Sequence, residues 1–126
     1  MSNPKYKAWD TKRKKMWSAE EMGRDQLTLS PDGKGFINVS SVSIKLSQYL
    51  PHLIPLQYTG RDDNGGMEIY AEDIVCADGI TAVVTWNKRF TGFELAATGN
   101  RLGFFSDIKV VGNKYENPEM RKKAIE

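Results

Sequence analysis

The chain of 126 residues has one cysteine, Cys76, and one histidine, His52. A single cysteine excludes an intrachain disulfide, which suits a reducing compartment. With one histidine beside it, a conventional zinc site built by one chain is not expected either. The sequence also lacks a Gly-x-Ser-x-Gly elbow, a Walker phosphate loop and paired Cys/His spacings, and with them the chemistries those motifs carry. No apolar run approaches the roughly 18 residues a membrane-crossing helix needs. The polar N-terminus has no apolar stretch of the secretory type. These absences lead to the expectation of a cytoplasmic protein with no membrane partner, no cofactor, no metal site and no catalytic residue.

What is present reads as one globular domain over residues 1–126, with room for a single modest core. Hydrophobic residues make up 40% and charged residues 27%, close to globular averages and unlike a disordered tail. The net charge of +2 conceals an uneven distribution. Lys5, Lys7, Lys12, Arg13, Lys14 and Lys15 face Asp10 alone in residues 5–15. Asp62, Asp63, Glu68, Glu72, Asp73 and Asp78 face Arg61 alone in residues 61–78. One stretch attracts anions and the other repels them.

Strand patterns separated by turn signals dominate. Lys5–Trp9 alternates, Asp10–Lys15 is a polar basic turn, and Met16 and Trp17 resume the apolar character, which predicts a hairpin. Ser18 and Glu21 have capping-box spacing for one helical turn, with Gly23 expected to end it. Ser30–Gly35 is a turn between Leu27–Leu29 and Phe36–Val39. Val42, Ile44 and Leu46 alternate as a half-buried strand. The prolines of Pro51–Pro55 mark a connector. Asp63-Asn64-Gly65-Gly66 reverses the chain between Leu56–Thr59 and Glu68–Tyr70, and Asp78-Gly79 turns it into Ile80–Trp86. Further strands are expected at Phe93–Ala97, Leu102–Phe105 and Ile108–Val111. Asn117 and Pro118 open a short C-terminal helix. The fold class is mainly β (β-rich α+β), a small twisted sheet or partly open β-barrel with that helix at its end.

Two blocks stand out, QYTGRDDNGGMEIYAEDIV at Gln57–Val75 and VVGNKYENPEM at Val110–Met120. With the opening YKAWDTKRKKMW at Tyr6–Trp17, they resemble the YopX family of small bacteriophage and prophage proteins. The matching central residues are Gln57, Tyr58, Thr59, Gly60, Asp63, Gly66, Glu68, Ile69, Tyr70, Asp73, Ile74 and Val75. The matching C-terminal ones are Gly112, Asn113, Tyr115, Glu116, Asn117 and Pro118. Their chemistry reads as structural: Tyr58 and Tyr70 can pack across the loop, Thr59 and Asp73 can bond turn amides, and Asn113 can organise a turn. One departure stands out. The family has Glu-Gly before Asp-Ile-Val, whereas this chain has Ala71-Glu72, so Glu72 must take a positive φ at a cost or the turn must change.

Candidate chemistry is sparse. His52 sits between prolines and reads as structural, and Cys76 as a small buried hydrophobe. The carboxylates Asp62, Asp63, Glu68, Glu72 and Asp73 are hard oxygen ligands, but Met67 occupies the position where a calcium loop requires glycine. The N-terminal hairpin is the better site, because Lys5, Lys7, Lys12, Arg13, Lys14 and Lys15 lie among Trp9 and other aromatics. Cations can neutralise phosphates while aromatics stack on bases. A net charge of +2 is small for a nucleic-acid domain, and basic turns also keep hairpin edges from pairing. The resemblance implies a phage or prophage accessory protein that binds a host or phage macromolecule in the bacterial cytoplasm. A sequence-tolerant nucleic-acid binder is the alternative, a carboxylate- or metal-dependent enzyme the third reading, and a homo-oligomer an open possibility.

Overall fold

Alternating residues of Tyr6–Asp10 form β1, which pairs antiparallel with β2 (Lys15–Trp17) in the register Ala8↔Trp17 and Asp10↔Lys15. The structure is a computed structural model that describes residues 4–39, 48–96 and 98–121, the side chains of Gln48 and Arg121 excepted. Strands hold about half of the described residues, one sheet curls into a half-barrel and a short helix lies near the C-terminus, so the fold is mainly β. The residues group into two compact units, Lys5–Gln57 and the part from Tyr58 onward.

In the first unit, Ser18 caps α1 (Ala19–Arg24): its Oγ accepts from the Glu21 amide and the Glu21 carboxylate accepts from the Ser18 amide, each at 3.1 Å. Gly23 lies within the helix, contrary to expectation. The helix runs on because Met22 is buried, and it closes where the Asp25 amide reaches the Glu21 carbonyl and Gln26 turns to φ 57°. The strands β3 (Leu27–Leu29), β4 (Phe36–Asn38) and β5 (Gln48–Leu50) form an antiparallel sheet in that order. In the Ser30–Gly35 turn, Ser30 Oγ donates to Asp32 at 2.6 Å and accepts from the Gly35 amide. The strand expected at Val42, Ile44 and Leu46 lies outside the described residues. Ala8, Met22, Phe36 and Leu53 form the core, with Trp17 and Leu27 packed against it.

The connector expected at Pro51–Pro55 is shorter than the prolines suggested, since β6 (Leu53–Asp62) already includes Pro55 opposite Ala8. Among the described strands its first half pairs only with β1, so the missing proline amide can face the other side. The half from Tyr58 pairs with β7 (Glu68–Tyr70), after a bulge between Tyr58 and Asp62.

In the second unit, β8 (Asp73–Ala77) and β9 (Ile80–Asn87) join through Asp78 and Gly79 at φ 49° and 84°, the pair of left-handed residues a tight hairpin needs. With β10 (Gly92–Leu95) and β11 (Ile108–Asn113) they form a sheet in the order β10-β9-β8-β11. Ala97, the expected end of β10, lies outside the described residues. Val75, Ala82 and Val84 join Ile69, Leu95 and Ile108 in one core cluster, while Ile74 and Val83 pack with Ala96 in another. This two-sided burial explains the unbroken apolar runs of β8 and β9. The strand expected at Leu102–Phe105 is instead a 3-10 turn at Leu102–Phe104. Both Leu102 and Phe105 are buried, and their spacing of three suits that turn. The Arg61 guanidinium donates to the carbonyls of both residues. Cys76 is half-buried rather than buried. The C-terminal helix is α2 (Pro118–Arg121).

Glu72 adopts φ 71°, the left-handed conformation in which a Cβ meets its own backbone. Neighbours hold it there: its amide donates to the Val84 carbonyl at 2.8 Å, its carbonyl accepts from the Lys114 amide at 3.1 Å, and its carboxylate meets Lys114 Nζ at 2.9 Å. Glycine and alanine at this position both lose the ion pair, so comparing them isolates the backbone. Glu72→Gly should be more stable than Glu72→Ala by about 1 kcal/mol in urea unfolding. Equal midpoints would show that the conformation costs nothing.

Candidate functional site

The basic hairpin turn is organised from beneath by Asp10, which is 0% exposed. One carboxylate oxygen accepts from the Lys12 and Arg13 amides, each at 2.9 Å. The other accepts from Arg13 Nη1 and Trp17 Nε1, each at 3.2 Å. Burial alone would raise this carboxyl's pKa, but the four donors outweigh it and bring the value down to about 2. Lys14 closes the turn at φ 54°. The Thr11 amide and hydroxyl both donate to the His52 carbonyl, at 2.9 and 3.2 Å, which ties the turn to the loop before β6.

The cations differ in availability. Lys15 is committed, with Nζ 2.9 Å from Glu21 and 4.0 Å from the centroid of the Trp17 ring. That ammonium and the Ser18 amide hold the Glu21 carboxyl down to about 2. Lys5 and Lys7 are half-buried and already engaged. Lys12, Arg13 and Lys14 are exposed, and among the described residues Lys12 and Lys14 form no ion pair. Trp9, expected as a stacking ring, is only 8% exposed and packs inside. The end of β1 is covered on both faces, since Ala8, Trp9 and Asp10 are all buried.

An open cleft of about 790 Å³ lies beside the turn, within the Lys5–Gln57 unit. Lys12, Arg13, Arg24 and His52 line its rim with Asp25, and Trp17, Leu27, Leu50 and Leu53 supply apolar wall. Arg24 and Gln26 were not recognised from the sequence as site residues. Arg24 reads there as an ordinary cation in the last turn of a helix. It reaches the cleft because α1 leads directly into β3. His52 joins because β6 pairs with β1.

The second unit uses its signature residues as hydrogen-bond anchors. Asp63 is buried and accepts from the Gly65 and Met67 amides, each at 2.9 Å, and from the Val110 amide at 3.0 Å. The Val110 bond most of all holds its carboxyl below the usual range, against the opposing effect of burial. Tyr58 and Tyr70 sit opposite each other with ring centroids 5.5 Å apart. The Tyr58 hydroxyl donates to Asp62, which pushes its pKa up to about 12, and the Tyr70 hydroxyl donates to Glu68. Thr59 donates to the Ile69 carbonyl at 2.8 Å, and Asp73 accepts from the Tyr70 amide at 2.8 Å. Gln57, Gly60 and Gly66 are exposed, whereas Ile69, Ile74 and Val75 are core.

In the C-terminal block, Asn113 accepts from the Tyr115 and Glu116 amides and donates to the Glu116 carboxylate. Asn117 precedes Pro118 and accepts from the Asn113 amide. A Cβ on Gly112 would lie 2.6 Å from that Asn117 oxygen, so this position needs glycine. Among the described residues, no three His, Cys, Asp or Glu side chains converge as a metal-binding group, and no helix is long and apolar enough to cross a membrane.

Asp10→Asn tests the support beneath the turn. An amide there retains one acceptor oxygen but turns an NH2 toward donors, leaving the Trp17 N–H without a partner. The expected cost at pH 7 is about 1–3 kcal/mol in urea unfolding. Because the folded pKa is depressed, the carboxylate's contribution is full above the unfolded value near ~3.9 and is lost as pH falls toward about 2. The gap between parent and variant should therefore narrow over that window. A gap independent of pH would contradict the assignment.

The fold recurs in a known structure. The crystal structure of protein EF1440 from Enterococcus faecalis matches with a TM-score of 0.66 at 21% identity, covering 96% of this chain and 99% of that one. At that identity the likeness concerns fold alone. No curated protein matches the sequence. The family model described as YopX protein matches residues 5–121, which carry the N-terminal hairpin, the Asp63 loop and the Gly112–Pro118 ending. The chain belongs to the YopX family.

Proposed function

We propose that this YopX-family chain is a phage or prophage accessory protein that works in the bacterial cytoplasm by binding a host or phage macromolecule rather than by catalysis. Its binding face is the cationic turn and cleft of the Lys5–Gln57 unit, and its partner presents anionic groups. The observation that carries the reading is the gathering of Lys12, Arg13, Arg24 and His52 around one cleft, with Asp25 the lone carboxylate among the described residues that line it. Buried Asp10 fixes the backbone that presents Lys12 and Arg13, so little ordering remains to be done on binding. In the other unit, Asp63 and Asp73 are occupied with backbone amides, which supports a structural role for the acidic stretch.

Heparin-agarose supplies a polyanion without bases and tests the charge of this face directly. The parent should be retained at about 50 mM salt and elute at higher salt than the double variant Lys12→Glu/Lys14→Glu. Parent flowing through at that salt, or the two proteins eluting together, would exclude the face as an anion-binding surface.

A further inference from the structure

The geometry points to a specific occupant for the cleft: one unpaired nucleotide of a single-stranded nucleic acid, its phosphate on the cationic rim and its base against the apolar wall. This inference rests on the binding role argued above and narrows its partner to one chemistry. The cleft's volume of about 790 Å³ falls in the range of sites that enclose small organic groups. Its composition is divided as such a ligand requires. Lys12, Arg13 and Arg24 supply positive charge, while Trp17, Leu27 and Leu50 supply apolar surface. Gln26 adds a side-chain amide, able both to donate to and to accept from a base edge.

Trp17 is held in place before any ligand arrives. Its indole N–H is bonded to Asp10 at 3.2 Å, and Lys15 Nζ sits 4.0 Å from its ring centroid. With Lys15 over the ring and the indole packed against the core, the wall offers a base fixed apolar contact with little entropy left to lose. A duplex keeps its base faces stacked and offers mainly phosphates and groove edges, which the rim can meet but the apolar wall cannot. Positive charge also continues past the cleft. Lys14 is exposed at the hairpin tip without lining the cleft, so a neighbouring phosphate of the same strand has a partner and a free mononucleotide has none for it.

Fluorescence anisotropy of a labelled eight-nucleotide single strand, its duplex and a labelled mononucleotide tests the assignment on the full chain. Saturable binding of the single strand is expected, with the duplex and the mononucleotide each at least tenfold weaker. Two phosphates neutralised on a single strand correspond to a roughly sevenfold loss of affinity between about 50 and about 200 mM salt. Arg24→Glu should weaken binding at least tenfold. Gln26→Ala should weaken it severalfold without changing the salt slope. In the Trp86→Phe protein, tryptophan emission should quench on saturation, since Trp17 lines the cleft and Trp9 is buried.

Parental affinity in Arg24→Glu combined with loss in Lys14→Glu would overturn the cleft as the site and leave phosphate binding at the hairpin tip. Equal affinity for duplex or mononucleotide would overturn the unpaired nucleotide of a strand as occupant. Retention on heparin without binding to any oligonucleotide would end this inference and spare the anion-binding face. Failure of both would end both.

Discussion

The fold depends on buried carboxylates that stand in for missing backbone partners. Asp10, Asp63 and Asp73 are each nearly inaccessible, and each accepts amide hydrogens that a turn would otherwise leave unbonded. A buried charge is costly unless it is fully bonded, and an orphan amide is costly as well. Placing one against the other satisfies both, and the turn becomes as well determined as a strand. Asp63 reaches furthest, since it gathers Gly65 and Met67 of its own loop and Val110 of β11. Asn64 reinforces that junction by accepting from the Ile108 amide and donating its own amide to the Ile108 carbonyl.

The same device gives the basic hairpin its character. Four consecutive basic residues repel one another, and in a free peptide they would spread the turn open. Asp10 draws the Lys12 and Arg13 amides inward and supplies a compensating charge below them. Glu21 takes up Lys15 from α1. What reaches the surface is a smaller set of cations at fixed positions, beside apolar wall that the rest of the unit has not covered. Charge alone is a weak argument for binding at a net +2. Charge placed on a rigid turn next to a cleft is a stronger one.

Much of the architecture was legible in the sequence because turn chemistry is local. The N-terminal hairpin, the Ser18–Glu21 capping box, the Ser30–Gly35 and Asp78-Gly79 turns and the Asn117-Pro118 helix start all follow from short spacings. The departure at Glu72 left a positive φ or a changed turn as alternatives, and the positive φ is what occurs. Misreadings arose where tertiary packing decided. Gly23 stayed helical because Met22 is buried, and Leu102–Phe105 curled because both end residues enter the core and Arg61 bonds their carbonyls. The turn's cations could be read from composition, but the cleft could not. Arg24, Gln26 and His52 approach Lys12 only through the pairing of β1 with β6 and the exit of α1, contacts without a local signature.

The most direct measurement is an NMR pH titration of the aspartate side-chain carboxyl carbons, with the amide shifts of the residues that donate to them. If buried carboxylates hold the turns, Asp10 titrates at about 2, and the Lys12 and Arg13 amide protons move together with it. Asp63 should likewise titrate below the ordinary carboxylate range, together with the Val110 amide. Titration of Asp10 near ~4, the value of a free side chain, with the Lys12 and Arg13 amides unmoved, would contradict the account.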